Sequence, residues 1–256
     1  MAIFQFNPTE ISVFLAVLLR LSLCFFMIPL FSNAQLPAMV KTFTSLGLAV
    51  LLYPLVRDVV TPLPTDLPPL AWIAIGEILL GLVLSLSVML LFSSFQLAGE
   101  LISFQMGFGF ALAADPQSGV TMMVLSRWFQ ITATLILFSL NGHHMILRAI
   151  VESFRSVPIG SFTATDIAFG KVMFLSAQLF VIGLKVAAPI MLAMLLIQVG
   201  LGLMAKFSPQ VNLLATTAPL TIMMGFALLV LCAAIWGSAM EGHLMKLAPL
   251  LLNVAK

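Results

Sequence analysis

The stretch Gln105-Met106-Gly107-Phe108-Gly109-Phe110-Ala111-Leu112-Ala113-Ala114-Asp115-Pro116-Gln117-Ser118-Gly119 puts a Gly-x-Gly break and an Asp-Pro helix start into a chain that otherwise reads as lipid-compatible helix. In hydrocarbon an interrupted helix strands backbone N–H and C=O groups, which is tolerated only where protein or a cavity surrounds them. The break therefore belongs inside an assembly.

Outward from it, composition sets the class. Of 256 residues 62% are hydrophobic and 8% charged, whereas a soluble domain carries about 25% charged residues. The chain reads as an all-α, polytopic membrane protein. A net charge of +2, dispersed and without a basic run, points to neither nucleic acid nor an anionic membrane surface as a partner. Cys24 and Cys232 lie in apolar runs without a Cys-x-x-Cys or His-spaced neighbour, and read as packing residues. Met1 to Glu10 lacks a positive n-region and Arg20 interrupts the following apolar run, so the first segment reads as retained rather than cleaved.

Apolar stretches cover Ile11–Phe31, Thr42–Val56, Leu70–Ala98, Leu101–Ala114, Val120–Leu140, Val172–Lys206 and Val211–Trp236. A bilayer core needs about 20 apolar residues per helix, so some of these span comfortably and others are short. Helix starts are signalled by Asn7-Pro8-Thr9-Glu10, Asp115-Pro116, Ser208-Pro209 and Thr163-Ala164-Thr165-Asp166, where a capping side chain or a first-turn proline suits N–H groups that have no helical partner. Pro29, Pro54, Pro189 and Pro219 fall within apolar runs and predict kinks. Val172–Lys206 as one helix is about 50 Å long, which overshoots a hydrocarbon core of about 30 Å. The most polar interval, Asn141–Lys171, begins as an amphipathic helix with Met145, Ile146, Ala149, Ile150 and Phe154 on one side, and divides the chain into two halves.

Charges lie within or beside the apolar runs at Arg20, Glu77, Glu100, Arg127, Lys185 and Glu241. Each costs about 2.5 to 3.5 kcal/mol at the centre of a membrane helix. Three readings stand: long side chains that snorkel or sit at interfaces, ion pairs in a protein interior, and a proton or ion relay. Glu100 beside the break and Arg127 in the next helix are the expected pair, directly or through neighbouring subunits. Sixteen methionines read mostly as packing, with Met106 set apart by its place at the Gly-x-Gly break.

No His-Glu-x-x-His, Gly-x-Ser-x-Gly or phosphate-binding Gly-rich loop with Lys-Ser/Thr occurs, and adjacent His143 and His144 point about 100° apart on a helix, a poor metal pair. Neither enzyme, cofactor nor metal is expected.

Gly99-Glu100, Gln105-Met106-Gly107-Phe108-Gly109-Phe110-Ala111, Asp115-Pro116-Gln117-Ser118-Gly119 and Pro209-Gln210-Val211-Asn212 together carry a resemblance over the whole chain. The sequence resembles the FliR family, the flagellar counterpart of the SctT export-gate proteins of virulence type III secretion. The resemblance implies kinked helical hairpins, with residues 1–165 similar to a FliP subunit and residues 166–256, a hairpin and a short terminal helix, similar to a FliQ subunit. It implies a multi-pass protein of the bacterial inner membrane, in a flagellar basal-body gate partly raised toward the periplasm. The implied partners are FliP and FliQ in the gate, FlhB and FlhA beside it, and unfolded flagellar proteins as passengers. It maps a channel plug onto Met106, Gly107, Phe108, Gly109 and Phe110, and a cytoplasmic hairpin tip onto Lys206, Pro209, Gln210 and Asn212. Two alternatives stay open. The glycines at the break also suit close helix packing, and a secondary transporter or ion channel with discontinuous helices also breaks its spans.

Overall fold

The computed structural model describes residues 8–28, 36–57, 67–108, 124–162, 166–207 and 213–246. Among these the chain is helical and has no strand: α1 (Pro8–Met27), α2 (Ala38–Arg57), α3 (Leu67–Gln105), α4 (Val124–Ser139), α5 (Gly142–Ser156), α6 (Asp166–Phe207) and α7 (Leu213–Met245). The chain divides into two compact units, one of residues 1–91, 141–176 and 245–256, the other of residues 92–140 and 177–244. Helices α3 and α6 each contribute to both.

In the first unit α1 buries one stripe, Val13, Ala16, Val17, Arg20, Leu21, Cys24 and Phe25, continued by Ile28 just past its end, at the three- and four-residue spacing of a single helix face. Arg20 therefore lies in the middle of that stripe. Helix α2 packs on α1 through Ser45, Ala49, Tyr53 and Val56, with Phe14 and Tyr53 meeting edge to face at 6.0 Å. Gly81 brings α3 close to α1, since a Cβ there would stand 3.1 Å from the Arg20 carbonyl oxygen. Amphipathic α5 buries Ile146, Ala149, Ile150, Ser153 and Phe154. The sequence placed Met145 on this face. It is half-buried, and Ser153 takes part instead because its hydroxyl has a buried partner, described below.

In the second unit the end of α3 buries Ser94, Phe95, Ala98, Ile102 and Met106, again one helix face. Small residues let neighbours approach it. A Cβ on Gly99 would lie 2.6 Å from Ser126 Cα of α4, and one on Gly183 of α6 would lie 2.9 Å from the Ser94 carbonyl oxygen. Phe129 and Trp236 join α4 to α7, their ring centres 4.6 Å apart.

Four helices have windows long and apolar enough to cross a membrane, Glu10–Met27, Ala38–Val56, Pro68–Gln105 and Met173–Met204, and the number rises to 6 if each of two bent helix pairs is one span. The protein is a polytopic α-helical membrane protein. Helix α3 runs 39 residues without a break at Gly99-Glu100, so the expected division between Leu70–Ala98 and Leu101–Ala114 moves to Gln105. The reason is that Gly99 is needed for close packing and stays helical. Helices α2, α6 and α7 continue through Pro54, Pro189 and Pro219. A bend of 58° separates Pro219–Ala233 from Ile235–Met245 within α7. At about 58 Å for α3 and about 63 Å for α6, both exceed the hydrocarbon thickness.

Candidate functional site

Two constellations stand out, one in each unit. In the first, Arg20 and Glu77 are both fully buried and paired, Nε donating to Oε2 at 2.6 Å. The guanidinium also donates through Nη1 to Ser153 Oγ at 3.2 Å, and through Nη1 and Nη2 to the Val157 carbonyl at 3.3 and 3.2 Å. Its Cζ lies 3.9 Å from the centre of the Phe154 ring, a cation–π contact. The second Glu77 oxygen accepts from Gly160 N–H at 3.4 Å, where Gly160 takes a φ of 81° that favours glycine. One ion pair thus ties α1, α3, α5 and the turn after α5. With its donors engaged, the charge meets the condition under which burial is sustainable.

In the second unit the decisive segment is the end of α3. Gly107 has a φ of 93° and ends the helix in a Schellman turn: Phe108 N–H donates to the Ser103 carbonyl at 3.1 Å and Gly107 N–H to the Phe104 carbonyl at 3.1 Å. The two carbonyls beyond these are taken by side chains of other helices. Gln198 Nε2 of α6 donates to the Gln105 carbonyl at 2.8 Å, and Thr221 Oγ1 of α7 donates to the Met106 carbonyl at 3.2 Å. The terminal carbonyls from Ser103 to Met106 are therefore all satisfied, which an exposed helix end obtains from water.

Met106 itself is fully buried, seated in a notch on α7. A Cβ on Gly225 would stand 2.5 Å from Met106 Cγ and Cε, so any larger residue there makes the Met106 side chain shift. Phe108 continues the contact, edge to face with Phe226 at 6.4 Å. The turn at 106–108 is thus held to α6 and α7 by shape and neutral hydrogen bonds, with no charged group in the contact.

Of the other residues singled out by sequence, Gly109, Phe110, Pro209, Gln210 and Asn212 lie outside the described residues, and Lys206 is exposed at the end of α6. Glu100 is half-buried and accepts from Gln96, while Arg127 is exposed and donates to Gln130. Within this chain Glu100 and Arg127 do not pair directly and make contacts within their own helices, since Glu100 lies off the stripe of Ala98 and Ile102; pairing through neighbouring subunits belongs to the assembly. Lys185 and Glu241 are also exposed, so this chain by itself buries only Arg20 and Glu77 of the six. Sequence reasoning missed Gln198, Thr221 and Gly225. The available signal for the first was a lone amide in the apolar run Leu195-Leu196-Ile197-Gln198-Val199. Among the described residues no group of three His, Cys, Asp or Glu side chains is placed to hold a metal.

Residues 11–247 match the family described as bacterial export proteins, family 1. The flagellar biosynthetic protein FliR of Escherichia coli K12 is 31% identical over 78% of this chain and 76% of its own length. Its Bacillus subtilis counterpart is 30% identical over 87% of this chain and 86% of its own, and that of Pectobacterium carotovorum 32% over 77% and 75%. By a match that runs nearly end to end, together with long apolar helices of the kind a membrane exporter needs, the chain belongs to the bacterial export proteins of family 1, the family that includes FliR.

Proposed function

We propose that the chain is a membrane subunit of the flagellar type III export gate that forms part of the channel for unfolded flagellar proteins, and that it is not an enzyme. The observation that carries this reading is the docked end of α3. A segment rich in large apolar side chains leaves the helix at Gly107, held by a thioether in a notch and by neutral hydrogen bonds. Such a segment blocks water and ions by dewetting, yet yields to a passing chain because nothing charged has to be uncovered. In this reading Met106, Gly107, Phe108, Gly109 and Phe110 form the plug. Residues 1–165 play a FliP-like part and residues 166–256 a FliQ-like part, in an inner-membrane gate with FliP and FliQ, next to FlhB and FlhA. The relatives named FliR support the flagellar setting.

Shortening Phe108 and Phe110 together to Ala raises leakage of small solutes through gates that still co-purify with FliP and FliQ. Unchanged permeability in such assembled gates defeats the plug. The tip at Lys206, Pro209, Gln210 and Asn212 faces the cytoplasm in this reading. A cysteine at Gln210, in a chain lacking Cys24 and Cys232, then reacts with an impermeant thiol reagent only when the cytoplasmic side is opened, and labelling from the periplasm in intact cells reverses the orientation.

A further inference from the structure

A groove of about 720 Å³ runs between the end of α2 and the outer face of α5 in the first unit. One wall is apolar, with Leu52 and Leu55 from the last turns of α2. The other carries His144, Arg148, Glu152 and Arg155 of α5. Arg155 is held by Glu152 at 3.4 Å. Arg148 is exposed and has no hydrogen bond or ion pair among the described residues. We propose that this groove holds an anionic phospholipid, with its phosphate on Arg148 and an acyl chain along Leu52 and Leu55.

Two observations select this occupant. The apolar span of α2, Ala38–Val56, is only 22% buried by the rest of the chain and ends beside Leu55, just before Arg57. That places the groove where hydrocarbon gives way to headgroups, with an apolar flank for a tail and a cation for a head. The guanidinium fork of Arg148 matches two phosphate oxygens, and a basic amphipathic helix at this depth attracts anionic lipid. A zwitterionic headgroup fits less well, because its own cation would lie beside Arg148 while Glu152 is already engaged by Arg155. Net charge gave no sign of such a site, since a sum over the chain is blind to one unpaired arginine beside an apolar wall. The inference needs only that α2 spans a membrane and stands apart from the plug.

The test uses the full-length chain, purified in detergent with the subunits that accompany it, and native mass spectrometry after addition of phosphatidylglycerol or phosphatidylcholine. Wild type retains phosphatidylglycerol in preference to phosphatidylcholine. Retention falls about fivefold in Arg148→Gln and about thirtyfold in Arg148→Glu, as expected for removing or reversing one charge near an anionic surface. Arg148→Lys keeps most of it. Arg148 is exposed, and size-exclusion elution confirms that each variant is folded; the neutral Gln variant carries the test if the Glu variant is not. Equal retention of the two lipids, or retention unchanged in the variants, overturns the proposal. So does loss of an accompanying subunit in Arg148→Glu with lipid retention unchanged, which identifies the groove as a protein interface.

Discussion

At Arg20 a guanidinium and a carboxylate, both shut off from solvent, tie three helices and a turn together; at Met106 a helix end is tied to its neighbours by a glycine notch, an amide and a hydroxyl. The charged groups at the first site and the terminal carbonyls at the second are satisfied, while Ser103 Oγ in the last turn of α3 is buried without a hydrogen bond among the described residues. The two sites differ in what separation leaves behind. Parting Arg20 from Glu77 strands two charges in an apolar interior, at a cost of about 3 to 5 kcal/mol when one partner is lost. Parting the Met106 turn leaves two carbonyls that water can take up, and each neutral hydrogen bond contributes only about 0.5 to 1.5 kcal/mol net. On these magnitudes the first junction is the harder to open and the second the easier, and in the proposed gate the second is the one that releases.

The largest effect tests the closed junction. Arg20→Leu or Glu77→Leu alone destabilises the chain by about 3 to 5 kcal/mol, seen as loss of the folded peak on heating in detergent. The double replacement, Arg20→Leu with Glu77→Leu, recovers most of that loss because no charge is left unpaired. A double variant as unstable as the singles removes the ion pair as the source of the difference between the two sites.

Next comes the notch. Gly225→Ala forces Met106 to move and costs about 1 to 3 kcal/mol, the usual range for an overpacked core. Met106→Ala in the same chain relieves the clash, so a double-mutant cycle gives a coupling of about 0.5 to 3 kcal/mol between residues in contact. Additive effects in that cycle break the reading that the methionine seats on the glycine. The smallest effect belongs to Gln198→Leu, which removes one side-chain bond to the Gln105 carbonyl for about 0.5 to 1.5 kcal/mol. Small-solute permeability sharpens the comparison here. It rises in Gln198→Leu and stays at the wild-type level in the Arg20→Leu, Glu77→Leu double variant if the release function resides in the second unit alone.

Much of the fold was legible because it is local. Run lengths of apolar residues gave the long helices α1, α3 and α6 but not α2, whose short run Thr42–Val56 lies in a helix long enough to span; Pro8 opens α1, and the spacing of Ile146, Ala149, Ile150 and Phe154 gave the buried side of α5. The Gly-x-Gly also pointed to the right place, since the helix stops at Gly107 because the Schellman turn requires a left-handed residue there. Partner choice was not legible. Nearness to the break favoured Glu100 and Arg127, but rotation about the helix axis decides which charges face each other. Arg20 lies with Val17 and Leu21 on the buried stripe, and Glu77 faces it from 57 residues away.

What the amino-acid sequence determined by itself was the class of molecule, the helices, and the point where α3 ends, because hydropathy, proline and glycine act within a turn or two of chain. Tertiary structure alone decided that Arg20 meets Glu77, that Gln198 and Thr221 take the last carbonyls of α3, and that Gly225 leaves room for Met106. Those contacts depend on the separation and rotation of helices distant in sequence. A difference of one residue in register carries a side chain about 100° around its helix, from the interior to the outside.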